Sequence, residues 1–422
     1  MLAAGSAAAA LADGASLLEA AAIGPHEVAA ELGGLSPGKF HAADLAADAL
    51  HRALSEVVSA EGQPLLSEQP GRALVAMSGG VDSAAAALLE QRAGHEVVAV
   101  TLKLWADQET DGERSCCSPQ AVLGARALAH SMGLPHFTLD LRDEFRGAVV
   151  DHYISEHDRG RTPNPCVRCN GQVRFDAMLA LASRLGAPAL VTGHYARITR
   201  DAEGPLLARA ADPAKDQTYM LCAVDPGELG RLRFPLGEVT KPEVRALAAE
   251  AELPVASKPE SQDLCFLSGI GRERFLERHG GRADAPGEVR DSAGRSLGTH
   301  RGHRRYTVGQ RRRLGVAAGE PLFVLSKDPQ TNVVVVGPRT ELAAREVSVE
   351  EAVLYRPGSQ VDGVKLRYRS TAAPARIEAS LPAGSHTNLT VRLEDDAFGV
   401  APGQVACLLA GDRVVGHGTI AA

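Results

Sequence analysis

The first pattern with chemical meaning is a hexapeptide, Ser78-Gly79-Gly80-Val81-Asp82-Ser83. It follows the apolar run 73–77 and precedes an alanine- and leucine-rich run, so we expect it to join a strand to a helix. Two glycines let backbone N–H groups approach an anion closely. The serines add hydroxyl donors, and the helix N-terminus adds the positive end of its dipole. The pattern predicts an anion-binding loop, and it is neither a Walker A loop nor a Gly-x-Gly-x-x-Gly fingerprint.

A second pattern is a set of cysteines. Cys166 and Cys169 lie in a proline-braced loop, and Cys265 lies far along the chain. The nearby basic side chains expected to lower a thiol pKa are Arg161, Arg168 and Lys258. Two thiols at one site can carry sulfur as a persulfide and then close a disulfide. The alternative is metal, because Cys166-x-x-Cys169 is half of a zinc or iron–sulfur site and Cys265 is a possible third ligand.

The remaining cysteines bear on the compartment. The chain has seven cysteines in 422 residues, an odd number that favours a reducing compartment over a disulfide framework. Cys116 and Cys117 offer further thiols, although adjacent cysteines rarely ligate one ion. Cys222 and Cys407 lie in apolar surroundings, which predicts packing residues. No secretory signal is recognisable and no run reaches the ~18 apolar residues of a membrane span, so we expect a cytoplasmic protein.

Charge is unevenly distributed. The formal net charge is −7, but nine acids and two bases precede Gly71, so the rest of the chain is close to neutral. The densest basic run extends from Arg301 to Arg313 around Tyr306. Such a run suits a phosphate backbone, and the alternative is a solvated loop beside an acidic neighbour.

The elements that must position these residues alternate between strand and helix. Strands are predicted at 73–77, 97–102, 136–139 and 189–192, and helices at 84–91, 120–132 and 173–185. This order predicts an α/β fold with a doubly wound parallel sheet. Later runs at 323–325, 333–336, 364–368, 389–393 and 405–409 predict small β-rich domains. We divide the chain into a helical extension (1–70), a catalytic domain (71–225), a central connecting domain (226–345) and a β-barrel-like domain (346–422).

The hexapeptide resembles the PP-loop of the ATP pyrophosphatases, which split ATP between its α and β phosphates and leave an adenylated substrate. The resemblance implies an adenine nucleotide α-hydrolase-like domain with ATP and Mg²⁺ as cofactors. In that family Asp82 would help to manage pyrophosphate and magnesium. The residues expected to bind the nucleotide are Ala76, Met77, Ser78, Gly79, Gly80, Val81, Asp82, Ser83, Leu102 and Gly193.

Five motifs in order resemble tRNA-specific 2-thiouridylase from about Arg72 onward. They are the hexapeptide, the two cysteine segments around Cys169 and Cys265, Lys215-Asp216-Gln217-Thr218-Tyr219, and Tyr306-Thr307-Val308-Gly309-Gln310. The resemblance implies that ATP adenylates the C2 oxygen of a wobble uridine and that sulfur then replaces the oxygen. Other PP-loop synthetases, which adenylate small molecules, need no paired thiols, and a non-catalytic tRNA-binding or scaffold protein needs no intact loop.

The resemblance also assigns roles. Cys265 would carry a persulfide received from a cysteine desulfurase or a persulfide relay protein, and Cys169 would be the partner nucleophile. No residue is assigned as a metal ligand. The target base must leave its stack to be reached. The residues implied to contact the tRNA or its target base are Asn164, Pro165, Cys166, His194, Lys215, Asp216, Gln217, Arg367, Tyr368 and Gln404.

Cys166 departs from the family pattern, because many members have an aspartate there that is a natural acid or base. The acid/base role is therefore unassigned. The substitution also keeps open an iron–sulfur-dependent thiolase that would use Cys166, Cys169 and Cys265 as ligands.

The segment 31–46 is similar to the last part of an iron–sulfur cluster scaffold protein, including its final helix. Where such scaffolds place a ligand cysteine after the histidine, this chain has Ala42, and no cysteine precedes Cys116. We expect no working cluster site there. The segment is then a truncated fusion relic, a docking piece for the sulfur-supply machinery, or a helical extension without function.

Overall fold

The computed structural model describes residues 1–60, 62–106, 119–259, 264–280, 284–316 and 319–421. None of the helices within these ranges combines the length and apolar character needed to cross a membrane. Cys116 and Cys117 lie outside the described residues.

The N-terminal unit is a small helical bundle. Its helices are α1 (Leu2–Ala12), α2 (Leu17–Ala21), α3 (Pro25–Glu31) and α4 (His41–Ser59). Alanines and one valine of α1, α3 and α4 form its small core. Leu54 and Val58 of α4, however, are buried in the large core of the neighbouring sheet, so the bundle is packed firmly onto the next unit.

The next unit is built on a five-stranded parallel sheet of order β3-β2-β1-β4-β7. The central residues of its main strands are buried and mostly apolar because helices cover both faces. The sheet strands are β1 (Arg72–Ala76), β2 (Glu96–Lys103), β3 (His136–Asp140), β4 (Ala189–Thr192) and β7 (Leu232–Arg233). Two further strands, β5 (Arg197–Asp201) and β6 (Gly204–Ala208), lie between β4 and β7 in the chain but outside this sheet. The helices are α5 (Val81–Arg92), α6 (Pro119–Ser131), α7 (Arg142–Phe145), α8 (Asp151–Asp158), α9 (Pro165–Cys169), α10 (Phe175–Arg184), α11 (Thr218–Leu221) and α12 (Lys241–Glu250).

The parallel α/β fold predicted from the sequence is confirmed, with the ends of strands and helices displaced by up to three residues. Two features extend past the predicted limit at 225. Strand β7 pairs with β4, and α12 packs on α5. Strands β5 and β6 leave the parallel sheet and join the C-terminal sheet through a pairing of Ala208 with Arg413.

A smaller β unit follows. It consists of α13 (Gly271–His279) and a four-stranded sheet of order β10-β11-β8-β9. Its strands are β8 (Gly287–Asp291), β9 (Ser296–His300), β10 (Phe323–Asp328) and β11 (Val333–Gly337).

The C-terminal unit is a closed barrel. Six strands pair in the order β12-β15-β14-β13-β16-β17, and β17 pairs back with β12. The strands are β12 (Ala343–Leu354), β13 (Gly363–Lys365), β14 (Ala373–Arg376), β15 (Gly384–Phe398), β16 (Val405–Ala410) and β17 (Arg413–Ile420). The strand predicted at 364–368 ends at Lys365, so the following residues form a loop that faces the catalytic unit. The small β-rich units predicted after the α/β domain are confirmed.

Candidate active site

The loop from Ser78 to Ser83 lies between the end of β1 and the start of α5, as its sequence predicted. Ser83 is buried, accepts a hydrogen bond from the backbone N–H of Ser78 at 3.1 Å and donates one to the Gly80 carbonyl at 3.0 Å. Gly79 has a φ of +70°, a left-handed conformation that favours glycine. Gly80 caps α5 without a side chain, so the first N–H groups of the helix remain open to a bound anion.

Asp82 is held from two sides. Its Oδ1 accepts a hydrogen bond from the Tyr195 hydroxyl at 2.8 Å and lies 2.5 Å from Nζ of Lys241. Lys241 is the first residue of α12, and its side chain is only 9% exposed, so this ion pair is shielded from water on the lysine side. One carboxylate oxygen of Asp82 is thereby committed, while the side chain remains partly exposed to the cavity.

Gly193 follows β4 and lies directly against the loop. A Cβ placed on it would come within 2.7 to 2.8 Å of backbone atoms of Asp82 and Ser83. Any larger residue would push the loop away. Of the other residues expected at the nucleotide, Met77 and Leu102 are buried and Ala76 is half-buried at the ends of β1 and β2, where they shape the sheet edge beneath the loop.

A cavity of about 1590 Å³ opens in front of the loop and reaches the C-terminal barrel. Among the described residues its lining includes three acids and six cationic side chains. The acids are Asp82, Asp216 and Asp412, and the cations are Arg197, Arg209, Lys215, Lys258, Lys365 and Arg369. The excess of positive charge makes the cavity a suitable place for phosphate groups.

The Lys215-Asp216-Gln217 motif lies on this cavity wall. Lys215 reaches the wall, whereas Asp216 is buried, 3.5 Å from the Lys365 ammonium, and accepts a hydrogen bond from Thr218. Gln217 accepts a hydrogen bond from the Tyr195 backbone through its side chain and donates one through its own backbone. Asp216 and Gln217 therefore brace the wall beside Tyr195.

His194 is half-buried between the rings of Phe175 and Phe234 and shares a hydrogen bond of 2.7 Å with the Thr192 hydroxyl. Burial lowers the pKa of His194 to about 3, so the ring is neutral at physiological pH. Of the described residues that line the cavity, His194 is not one.

The predicted cysteine loop is a short helix, α9, whose start is fixed by Asn164. The Asn164 side-chain oxygen accepts hydrogen bonds from the backbone of Cys166 and Val167, and Pro165 occupies the first helical position. Cys166 is half-buried and Cys169 is buried. A single π-helical turn, 170–174, follows directly, a feature frequent at functional sites.

Cys265 is half-buried and packs against the same hydrophobic cluster that contains Cys169. Its neighbour Phe266 is 1% exposed and anchors the segment among aromatic rings, with Phe275 at 5.0 Å and Tyr153 at 5.2 Å between ring centroids. The described cavity lining includes neither of these two cysteines nor Cys166. The structure therefore brings the two predicted catalytic thiols to one cluster but not to the cavity wall.

The structure also bears on the alternative that the cysteines bind a metal ion or an iron–sulfur cluster. Within the described ranges, no three His, Cys, Asp or Glu side chains are grouped as possible metal ligands. Cys166, Cys169 and Cys265 are thus not assembled as a ligand set in this arrangement. The basic side chains expected to influence the thiols make other contacts: Arg161 pairs with Glu156 at 2.9 Å, and Lys258 donates to the Gly79 carbonyl at 2.8 Å.

The three C-terminal residues implied to contact tRNA have different positions. Tyr368 lines the cavity, and burial raises its pKa above the usual range. Arg367 donates hydrogen bonds to the Gly399 carbonyl of the barrel and, at 3.5 Å, to the Val308 carbonyl of the preceding β unit. Gln404 donates to the Thr162 carbonyl at 2.5 Å, just before the cysteine loop. Arg367 and Gln404 therefore tie the barrel to neighbouring segments.

The basic run at 301–313 divides into two parts. Arg304 pairs with Asp158 at 3.0 Å, and Arg305 pairs with three acids, Glu273, Glu277 and Asp284. The first part is consequently neutralised, which corresponds to the alternative of an acidic neighbour. In the described parts of the chain, by contrast, no carboxylate pairs with the exposed residues 311–313, so this second part keeps its positive charge.

Sequence reasoning missed several residues of this site. Lys241 holds Asp82, and Arg209, Lys365 and Arg369 contribute charge to the cavity. They are far from the loop in sequence and belong to no short motif. Only the fold brings them together. As expected, Cys222 and Cys407 are buried, and burial raises the pKa of Cys222 well above its usual range.

The parallel sheet and the glycine-serine loop define a nucleotide-binding protein of the PP-loop class, which uses ATP. Comparisons with known proteins identify its family. Residues 71–269 match the tRNA methyl transferase HUP domain, 273–338 the tRNA methyl transferase PRC-barrel domain, and 347–420 the aminomethyltransferase beta-barrel domain. Residues 1–62 match the NifU-like N terminal domain.

Individual relatives agree. The chain is 47% identical to the bifunctional protein NifU/MnmA of Rubrobacter xylanophilus, over 100% of this chain and 86% of the relative. It is 44% identical to the tRNA-specific 2-thiouridylase MnmA of Rhodospirillum centenum, over 83% of this chain and 92% of that protein. The equivalent protein of Geobacter metallireducens is 42% identical, over 83% and 96%. The chain belongs to the tRNA-specific 2-thiouridylase family and carries a NifU-like N-terminal domain, which confirms both resemblances.

Proposed function

We propose that this protein is a tRNA-uridine 2-sulfurtransferase that uses ATP to activate C2 of a wobble uridine and replaces the C2 oxygen with sulfur. One observation carries the proposal: the PP-loop opens into a positively charged cavity shared by the catalytic unit and the barrel. ATP occupies the loop end, and the flipped nucleotide and its phosphates enter from the barrel side. Relatives named 2-thiouridylase over most of their length support the same reaction.

The loop performs the activation step. Backbone N–H groups from Gly79 to Asp82, at the start of α5, bind the phosphates. Asp82 suits magnesium, because one of its oxygens is taken by Lys241 and Tyr195 while the side chain still borders the cavity. A single carboxylate together with substrate phosphates is a usual magnesium environment. When bound, the ion would neutralise charge on the phosphates.

The thiols perform the transfer step. A cysteine desulfurase or a persulfide relay protein loads Cys265 with a persulfide. Cys169 then attacks the sulfur attached to Cys265, so the terminal sulfur leaves as hydrosulfide and a disulfide forms. The hydrosulfide attacks C2 of the adenylated uridine and AMP departs. An external thiol reduces the disulfide. Because Cys169 is buried, this step requires α9 and its π-helical turn to rearrange.

The residues near the base have narrower roles. Asn164 fixes the start of α9 and Pro165 stiffens it, so together they position Cys166 toward the target base. Lys215 and Tyr368 contact the tRNA across the cavity. Asp216 and Gln217 support these contacts from within the wall, and His194, Arg367 and Gln404 support them from behind it.

The test is to incubate the protein with ATP, magnesium, a persulfide donor and unmodified tRNA, and then to weigh the nucleosides after digestion. We expect uridine to gain the mass difference of sulfur for oxygen and pyrophosphate to be released. Cys169→Ser and Cys265→Ser should abolish the mass shift, whereas the buried control Cys222→Ala should retain it. Pyrophosphate release on a small molecule without thiolated tRNA would overturn the proposal. Activity that requires a stoichiometric cluster, measured as iron and acid-labile sulfide after anaerobic purification, would overturn the persulfide route.

A further inference from the structure

Two lysines reach the PP-loop from outside it, and their surroundings differ. Lys241 is 9% exposed on its side chain and forms an ion pair with Asp82. Lys258 is exposed, lines the cavity and donates a 2.8 Å hydrogen bond to the neutral carbonyl of Gly79. Within the described residues no carboxylate pairs with Lys258.

The backbone around Lys258 is anchored. Its N–H donates to the Val255 carbonyl at 3.0 Å, and its own carbonyl accepts from Arg245 of α12 at 3.4 Å. The ammonium group is therefore delivered to the loop from a fixed point on the polypeptide. A backbone carbonyl is a modest partner for an ammonium, whereas a polyphosphate offers charged acceptors and stronger hydrogen bonds.

We propose that Lys258 is the cation that binds the β and γ phosphates of ATP and stabilises the departing pyrophosphate. This inference rests on the proposed function. In the activation step the uridine O2 bonds to the α phosphorus and the bond from that phosphorus to the bridging oxygen breaks. The electron pair remains on pyrophosphate, and the N3 proton of uridine leaves to solvent. Negative charge thus grows on the group that Lys258 faces, where a prepositioned cation is effective.

Lys241 and Lys258 have different roles because they have different partners. Lys241 is neutralised by Asp82 and holds that side chain in place. Among the residues that the structure describes, no carboxylate compensates the charge of Lys258, so a bound phosphate would supply its anionic partner. When ATP binds, the Lys258 ammonium exchanges its hydrogen bond to the Gly79 carbonyl for hydrogen bonds to charged phosphate oxygens. The free-energy cost of losing the carbonyl contact is therefore small.

The test compares three ligands by calorimetry: ATP, AMP and inorganic pyrophosphate, all with magnesium chloride. Lys258→Met should weaken ATP and pyrophosphate binding by about 10- to 100-fold, as for one hydrogen bond to a charged group. AMP binding should be unchanged, because AMP lacks the β and γ phosphates. Lys258→Arg should restore part of the affinity. Lys39→Met, an exposed lysine of the N-terminal unit, is the matched control and should bind all three ligands normally.

Two outcomes overturn the inference. Equal loss of AMP and ATP binding would show that Lys258 only supports the loop, and unchanged ATP binding would show that it does not contact phosphate. These measurements contain no tRNA and no sulfur donor. A wild-type protein that binds ATP but never thiolates tRNA would refute the proposed function and leave the assignment of Lys258 standing.

Discussion

Replacement of Gly193 by alanine is expected to disable the nucleotide site because the added methyl group would clash with the backbone of the loop. The new Cβ would lie 2.7 Å from the carbonyl carbon of Asp82 and 2.8 Å from the backbone nitrogen of Ser83. Ordinary contact begins near 3.4 Å, so the loop must retreat by about 0.7 Å. Overpacking of this kind costs about 1–3 kcal/mol in the free energy of unfolding. Displacement of a reactive group by ~1 Å lowers turnover by about 100-fold.

Two measurements follow. Urea unfolding gives the stability change, and pyrophosphate release with saturating tRNA gives the rate. Gly5→Ala is the matched control: it lies within α1, a Cβ there meets nothing within 4 Å, and alanine should stabilise the helix by roughly 0.5–1 kcal/mol. The same substitution should thus have opposite effects on stability at the two positions. Wild-type ATP affinity and turnover in Gly193→Ala would refute the reasoning, because the loop could then accommodate the methyl group without moving.

Three further predictions concern charge. Lys241→Met should lower the free energy of unfolding by about 1–3 kcal/mol, because the partly exposed Asp82 loses a hydrogen-bonding partner, and it should weaken ATP binding. Urea unfolding measures the first effect and calorimetry the second. The NMR signals of His194 should not titrate between pH 5 and 8, because burial lowers its pKa to about 3. As the pH falls from ~6.5 toward 3, this histidine binds a proton in the unfolded chain but not in the folded chain, so the free energy of unfolding declines. A ring that titrates near pH 6.5 would contradict this prediction. Arg312→Ala should reduce the salt dependence of tRNA binding by about one unit of log–log slope, whereas Arg305→Ala should reduce stability and leave the slope unchanged, because its charge is already neutralised.

The sequence predicted what is local. The position of the hexapeptide between β1 and α5 was predictable, because the apolar strand, the two glycines and the helix-forming residues all lie within about 20 residues of one another. It did not predict that Lys241 and Tyr195 meet at Asp82, because those contacts depend on how distant elements pack. It also did not predict that β5 and β6 would leave the parallel sheet for the barrel, since a hairpin carries no signal of which sheet it will join.

The cysteines show the same limit. Proline and asparagine before Cys166 indicated a rigid loop, and the structure shows a capped helix. The depth at which Cys169 and Cys265 lie depends on the aromatic cluster around Phe266, which is assembled from several elements. Likewise, a run of basic residues in the sequence does not show that Arg305 forms ion pairs with three carboxylates in the folded protein.

The NifU-like helices have a consequence for the solubility of the rest of the chain. Strand β3 is the outer strand of the parallel sheet, and the Ser55 hydroxyl of α4 donates a 2.7 Å hydrogen bond to the Thr138 carbonyl on it. Unpaired backbone groups on an outer strand invite pairing with another chain. With α4 removed, this strand and the apolar surface under Leu54 would be open to aggregation. The fused domain thus covers part of the outer strand, and we expect a chain without residues 1–60 to self-associate more readily than the full chain.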